Sequence, residues 1–409
     1  MAPLDLSNKK IVLLLQGGGA LGAYQVGAFK ALAEKCHEAN SRIHWVAGIS
    51  IGSINAAVIA SPKCGDPVKE LESLWAEIRT PAFPPFDYTA IVEMFQPWLA
   101  RSRRTLESKY ADWTWMAFNP LGQLNFFTSR VLNPFLNPWI NEWFRRLDRD
   151  ELGFYGTEPM RQRLEAHVNW EALIGDRVPR LSVGATRISD GEVVFFDSMV
   201  LRTLEKDRWI VIPREEHLTS AHVMASCALP PAFPPIEVEG EWYFDGGVSN
   251  NTPIEALRDQ LLLEEEDKRD IVVFAVDLWD RKDDEMPRTL DDVVWRMKSI
   301  QFGSRRKAAE TVVRHHEYLE EHKKADGPHI HLDVCQVLLE NKKHGAQFSF
   351  SDADFSQRTY DVLSTRGYDD MLRAIDHPDL VEKVGGKFAA LYRFGAQHKH
   401  RPTDRLLAA

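Results

Sequence analysis

The sequence predicts an α/β protein: a mainly parallel central sheet with helices on both faces, an aromatic-rich helical insertion and a C-terminal helical appendage. Three observations carry this. Between residues 10 and 60, strand-like and helix-like stretches alternate, an order that builds parallel strands joined by right-handed crossovers. "IVLLL" (11–15) and the first six residues of "IVVFAVDL" (271–278) are apolar runs of strand length, the pattern of strands covered on both faces. Glycine-rich junctions, "GGGALG" (17–22) and "GISIG" (48–52), stand where each of the first two strands passes into a helix.

Taken in order, residues 10–15 read as a buried strand, 23–35 as a helix, 43–49 as a second strand and 51–60 as a second helix. From 81 to 155 aromatics crowd among helix-breaking prolines, which reads as a helical insertion. Strands return at 180–187 and 192–196, with "SDGE" (189–192) supplying hairpin turn chemistry. A helix at 218–227 leads through "LPPAFPP" to a short strand (241–244), the turn "DGGVSNN" (245–251), a helix near 254–266 and the strand at 271–278. Charged helices at 288–323 and 354–375 follow, with a strand at 329–334 between them. The expected division is a main unit at 9–280, with 81–155 as a helical insertion and lid candidate, a helical extension at 281–395 and a solvated tail at 396–409.

The 409-residue chain is long for one core, since domains usually run to roughly 100–200 residues. A formal charge of −10 argues against nucleic acid as a partner, because phosphate binding requires a basic face. Two basic clusters, Arg101/Arg103/Arg104 and Arg305/Arg306/Lys307, read as solvated helix faces, with anionic lipid as the alternative partner. Cys36, Cys64, Cys227 and Cys335 are widely spaced and lack metal-site spacing, which fits a reducing cytoplasm. Lys9 and Lys10 before "IVLLL" mimic a signal peptide, but the apolar run is too short, and no stretch reaches the about 20 apolar residues of a spanning helix.

The glycine turn at 17–22 has competing uses. Gly17, Gly19 and Gly22 satisfy a dinucleotide-binding pattern, but that site needs an acidic residue at the end of the second strand, where the chain reads "GIS". "GISIG" instead matches G-x-S-x-G between strand and helix, a nucleophile elbow in which Gly48 and Gly52 permit close backbone approach and Ser50 presents its hydroxyl. The competing reading makes Ser50 a helix N-cap. A serine nucleophile needs a base and donors for the oxyanion. Backbone N–H groups of Gly18, Gly19 and Ile51 are placed to serve as those donors. For the base the chain offers fourteen histidines and, as best carboxylate, Asp245, which Gly246 and Gly247 let the chain swing away from; its plainer role is a turn aspartate bonded to its own backbone.

"GGGALG" (17–22), "GISIG" (48–52) and "DGG" (245–247), in that order, together resemble the patatin-like phospholipases, lipid acyl hydrolases with a Ser–Asp dyad; "ASCALPPAFPPIEVEGEWYFDGGVSNNTPI" (225–254) is similar to the approach to their aspartate. The resemblance spans about 9–280 and implies a patatin-like fold, Ser50 as nucleophile, Asp245 as general base and the 17–22 loop (Gly17, Gly18, Gly19, Gly22) with Ile51 as oxyanion hole. It implies no metal and no cofactor. Two departures stand out: Leu21 occupies a position where many relatives carry a bracing Arg, and Gln16 one where they carry Asp or Gly.

Other patterns compete weakly. "RHHEYLEEH" (314–322) fails the H-E-x-x-H metal pattern because position 320 is Glu, so His316 and Glu320 read as part of a charged surface helix. His217 and His222 keep a Ser–His–Asp triad in play. Trp98, Trp113, Trp115 and Trp139 suit either a helical core or a lid at a membrane interface. The expected activity is therefore lipid acyl-ester hydrolysis of phospholipase A or lysophospholipase type, with a non-phospholipid esterase or thioesterase, or a silent lipid-binding module, as alternatives. The expected partners are a lipid or acyl-ester substrate and a peripheral membrane surface, with homo-oligomerisation left open.

Overall fold

The structure, a computed structural model, describes residues 3–79, 128–129, 149, 152–174, 178–198, 209–211, 218–254, 256–257, 269–281, 286–287, 290–303, 306–323, 329–339, 351–377 and 382–394. Nearly all of the expected insertion at 81–155, both of its basic and tryptophan clusters, most of the helix expected near 254–266 and the tail at 396–409 lie outside these residues.

Strand β1 (Lys10–Leu15) is buried along almost its whole length, as its apolar run requires. It is followed by α1 (Ala23–Glu38), β2 (Ile43–Ile49), α2 (Ile51–Ala60) and α3 (Pro67–Ile78), which Asp66 caps by accepting from the Val68 and Lys69 N–H groups. A two-residue pairing of β3 (Thr128–Ser129) with β4 (Tyr155–Gly156) precedes α4 (Glu158–His167). Then come β5 (Arg180–Arg187), β6 (Val193–Asp197), β7 (Trp209–Val211), α5 (Ser220–Ser226), β8 (Ile236–Val238), β9 (Glu241–Asp245) and β10 (Ile271–Asp277). The chain continues through α6 (Leu290–Phe302), α7 (Arg306–Glu321), β11 (Leu332–Leu338), α8 (Gln357–Asp376), β12 (Glu382–Gly385) and β13 (Ala389–Phe394).

Among the described residues one sheet runs in the order β12-β13-β11-β10-β1-β2-β5-β6-β7, with β9 paired to β5 and β8. The pairs from β13 across to β5 are all parallel; β12–β13, β5–β6, β5–β9 and β8–β9 are antiparallel. This is the mixed, mostly parallel α/β sheet that the sequence predicts. Along β1 the side chains of Ile11, Leu13 and Leu15 enter one core, while Val12 and Leu14 enter the other, so both faces are covered.

The stretch after residue 280 departs from the expected helical appendage. Three of its strands continue the central sheet, β11 lying directly beside β10. "KFAALYRF" hides its strand because alanine favours helices and the apolar run is short. The expected helix at 288–323 is two helices, α6 and α7. Helix α8 crosses α1 backbone against backbone: a Cβ at Gly27 would lie 1.7 Å from the Ser364 carbonyl oxygen, and one at Gly367 1.9 Å from that of Tyr24. The Tyr24 hydroxyl then donates to Asp370 Oδ2 at 3.0 Å across the same crossing.

His316 and Glu320 are buried, not solvated as the sequence reading expects. Glu320 accepts from the Ile330 N–H at 3.2 Å and His316 Nε2 meets the Ile330 carbonyl at 2.9 Å, so this face of α7 stitches the helix to the lead-in of β11.

Candidate active site

Parallel strands end together, and their carboxyl ends gather loops from distant parts of the chain. Leu15 of β1 is in register with Gly48 of β2 and Val276 of β10, so the glycine turn, the Ser50 elbow and the segment at 278–279 all emerge at one edge. Between β1 and β10 the strand order reverses direction, the place where open α/β sheets leave a crevice.

Ser50 has φ 54 and ψ −128, a left-handed conformation that non-glycine residues adopt at a cost of order 1–3 kcal/mol. Its surroundings hold it there. The Ser50 N–H donates to Ser226 Oγ at 2.9 Å, and that hydroxyl donates onward to the Gly184 carbonyl at 2.6 Å. Ser53 Oγ donates to the Ser50 carbonyl at 2.6 Å. Gly52 lets α2 start this close to β1: a Cβ there would lie 2.3 Å from the Leu15 carbonyl oxygen. Ser50 does stand at the N-cap position of α2, its carbonyl accepting from the Ile54 N–H at 3.3 Å, but its side chain makes no cap hydrogen bond.

Asp245 reaches the same point along the same edge of β5, where β9 takes over as the pairing with β2 ends and β6 holds the opposite edge. It pairs with Ala185, while Ile49 pairs with Gly184. The carboxylate is only 2% exposed and accepts from the Gly247 N–H at 2.7 Å, so the turn-aspartate role is real. Ser50 and Asp245 line the same cavity, with the serine hydroxyl close enough to pull the carboxyl down. Burial pushes the Asp245 carboxyl up to about 7, against the pull of the Ser50 hydroxyl and the Gly247 N–H.

The glycine loop sits opposite. Gly17, Gly18 and Gly19 line a cavity of about 210 Å³ together with Ser50, Ile51 and Asp245. Among the described residues the N–H groups of Gly18, Gly19 and Ile51 have no acceptor, whereas the Gly17 N–H donates to the Asn251 carbonyl at 3.4 Å. Gly22 does not line the cavity; its carbonyl accepts from Asn55 Nδ2 at 3.2 Å, and it lets α1 pack against Ile51 and Trp75. Gly48, Gly52, Gly246 and Gly247 shape the backbone without facing the cavity. Leu21 is buried in the apolar core, so a charged brace at that position is replaced by packing. Gln16, fully buried, ties the loop to its neighbours: Oε1 accepts from the Leu278 and Trp279 N–H groups at 2.6 and 3.1 Å, and Nε2 donates to Thr252 Oγ1 and the Phe302 carbonyl at 3.0 Å each.

Several residues of the site are invisible to motif reading. Trp279, Phe302, Asp352 and Phe355 form one wall of the cavity, although the segment after 280 carries no recognisable chemistry. Lys298 holds Asp352 with contacts of 2.7 and 2.9 Å to its two oxygens. Ser226 precedes "CALPP" and carries no signal of its own; the "SNN" after "DGG" was the one hint of Asn251. Cys227 lines the cavity with its thiol pushed up by burial and by the charge of Asp245, which keeps it protonated and poorly nucleophilic.

No histidine lines the cavity among the described residues. His222 caps α5, its Nδ1 accepting from the Thr219 N–H at 3.0 Å, and packs its ring on Phe196; His217 lies outside the described residues. No group of three or more His, Cys, Asp or Glu side chains among the described residues is placed to hold a metal.

The family model described as patatin-like phospholipase matches residues 13–258, more than half of the chain. No curated protein sequence matches. Among solved structures, VipD from Legionella pneumophila is similar at 16% identity and a TM-score of 0.36, over 90% of this chain and 67% of that one. ExoU, in its complex with SpcU from the type III secretion system of Pseudomonas aeruginosa, is similar at 14% identity and a TM-score of 0.27, over 90% of this chain and 52% of that one. The chain thus spans about half the length of ExoU.

Proposed function

Since the chain belongs to the patatin-like phospholipase family, we propose that it hydrolyses lipid acyl esters through a Ser50–Asp245 dyad, with the 17–19 loop and Ile51 as oxyanion hole. The observation that carries this is the meeting of a strained serine with a buried carboxyl pushed up to about 7, in a cavity lined mainly by apolar side chains. A base of that strength is half ionised near neutral pH, where general-base catalysis works best.

The chemistry follows from the groups present. Ionised Asp245 takes the Ser50 proton as Oγ attacks the acyl carbon. The carbonyl oxygen becomes an oxyanion facing the N–H groups of Gly18, Gly19 and Ile51. Collapse of the adduct expels the alcohol, which leaves with the proton held on Asp245, and the acyl group stays on Ser50. Water then gives a proton to Asp245 and its hydroxide attacks the acyl-enzyme, releasing the fatty acid and restoring Ser50 as the proton returns to it.

A second reading keeps the dyad but takes an uncharged ester or thioester. It is favoured by the cavity wall, which among the described residues contains no Lys or Arg to answer a phosphate. A panel of phospholipid, acylglycerol and simple ester substrates separates the two readings. Peripheral contact with a lipid surface is supported by Val293, Met297 and Ile300, exposed apolar residues at helical spacing on α6, whose last residue, Phe302, lines the cavity. No helix among the described residues is long and apolar enough to cross a membrane. The four cysteines are free, which fits a reducing cytoplasm.

Fluorophosphonate labelling tests the dyad. Wild type is expected to label and to hydrolyse esters, Ser50→Ala to do neither, and Asp245→Asn to label far more slowly. Undiminished labelling of Ser50→Ala would exclude Ser50 as the nucleophile.

A further inference from the structure

The carbonyl oxygen of Gly17 accepts two side-chain hydrogen bonds, from Asn251 Nδ2 at 2.9 Å and from Trp279 Nε1 at 2.9 Å. A trans peptide is planar, so the Gly17 carbonyl and the Gly18 N–H point in opposite directions. Fixing one fixes the other. Two donors on a carbonyl also polarise its amide and make the N–H on the far side a better donor. The Gly18 N–H is without an acceptor among the described residues, and Gly18 lines the cavity beside Ser50.

We propose that Asn251 and Trp279 are positioning residues of the acyl-transfer site: by holding the Gly17 carbonyl they set the Gly17–Gly18 peptide plane and deliver the Gly18 N–H to the acyl oxygen. The proposal rests on the reading of Ser50 as nucleophile. Neither holder is itself loose. The Trp279 ring lies against Trp295 and Phe302, with centroids 5.1 and 5.5 Å away, and its backbone N–H is held by Gln16. Asn251 Nδ2 also donates to the Phe302 carbonyl at 3.0 Å, the same oxygen that accepts from Gln16 Nε2. Carbonyls in the last turn of a helix have no intrahelical partner, so the end of α6 offers this acceptor without cost to the helix. Glycine at 17 and 18 makes the peptide easy to rotate, which is why side chains from outside the loop have to fix it. Both holders thereby connect the oxyanion loop to the part of the chain after residue 277, beyond the reach of the family match.

Trp279→Phe removes the N–H and keeps an aromatic ring in the wall; Asn251→Leu removes the other donor at similar size. Steady-state kinetics on a soluble short-chain p-nitrophenyl ester are measured beside fluorophosphonate labelling of wild type at Ser50. In Trp279→Phe the expected result is a fall in kcat of about 10-fold, against roughly 10²–10³-fold for outright loss of an oxyanion donor. KM, the pH midpoint of kcat/KM and Tm are expected to stay at wild-type values. Adding Asn251→Leu should lower kcat further, by a factor unequal to its effect alone, because both donors act on one carbonyl. If the double variant does not fold, Trp279→Phe decides by itself. An unchanged kcat in Trp279→Phe, or a fall matched by a lower Tm and a displaced pH midpoint, overturns the positioning role while labelled wild type upholds the nucleophile. Failure of wild type to label at Ser50 overturns the nucleophile reading and this proposal with it.

Discussion

Residues 10–60 and residues 290–394 both give strands to one sheet and walls to one cavity, yet the two regions are written in different kinds of sequence. In the first, the proposed chemistry rests on the backbone. A strained serine turn and a run of amides facing a cavity demand glycine at fixed spacing, and glycine at fixed spacing is legible. In the second, the contribution is made by packing and by one helix-end carbonyl, that of Phe302, to which any residue type could contribute its main chain. The comparison teaches that a motif marks where a backbone must come close to a substrate, and that its absence says nothing about distance from the active site.

The sharpest test of the first region is Asp245→Asn. If the buried carboxyl is the base, turnover should fall roughly 10⁴-fold or more, read as kcat/KM on a soluble ester. Wild-type kcat/KM should rise with pH through about 7, because only ionised Asp245 can accept the Ser50 proton. Stability should move the other way. The folded state holds a proton on Asp245 up to about 7, whereas the unfolded chain releases it near 3.8. The folded state is therefore penalised progressively as pH climbs through that window, and the penalty is complete above it. At pH 8 Asp245→Asn should exceed wild type in unfolding free energy by roughly 2–4 kcal/mol, with the two converging near pH 4. An inactive variant with no gain in stability would mean that the carboxylate is better solvated than its burial indicates.

How far the sequence could be read follows the same division. Strands β1, β2 and β10 are legible as apolar runs and β5 by the hairpin turn that follows it, and Ser50 and Asp245 are legible as candidates because each sits at a strand end beside glycines whose spacing a turn requires. Gly22 completes "GGGALG" and so reads as part of the oxyanion loop, yet its work is to let α1 pack against Ile51 and Trp75. β13 is hidden because "AALYRF" mixes helix formers with a short apolar run, and its pairing with β11 and β12 makes it a strand. Trp279 and Phe302 could not have been found at all from spacing: what matters in one is an indole N–H and in the other a backbone oxygen.

A next test asks whether the second region can be separated from the first. Gly367→Val places a branched side chain where a Cβ alone would lie 1.9 Å from the Tyr24 carbonyl oxygen, so α8 must move off α1. Overpacking of this kind costs about 1–3 kcal/mol, and more where the obstacle is backbone. Urea unfolding should show one transition at a lower midpoint with its slope unchanged, because shared strands make the sheet a single cooperative unit. Two transitions, with ester hydrolysis surviving the first, would restore the picture of an independent appendage.

The smallest expected effect is also the one that most directly asks whether the C-terminal region has a say in chemistry. Phe302→Leu keeps the main-chain carbonyl that Gln16 and Asn251 depend on and shortens only the side chain that faces the cavity. Phe302 is half-buried and packs beside Trp279, so the loss should cost little stability and leave kcat for a short acyl ester close to wild type. A fully used methylene in an apolar wall is worth about 1–3 kcal/mol, but Phe302 is only half-buried and its neighbours can close over the gap, so the ratio of kcat/KM for long over short acyl chains should shift by roughly tenfold or less. A matched series of p-nitrophenyl esters of increasing chain length reads the ratio directly. A shift confined to KM would mean that α6 helps to hold the acyl chain while the dyad and the amides of the first region act on its carbonyl. An unchanged ratio would leave the region after residue 280 as a support for the glycine loop with no part in choosing what enters.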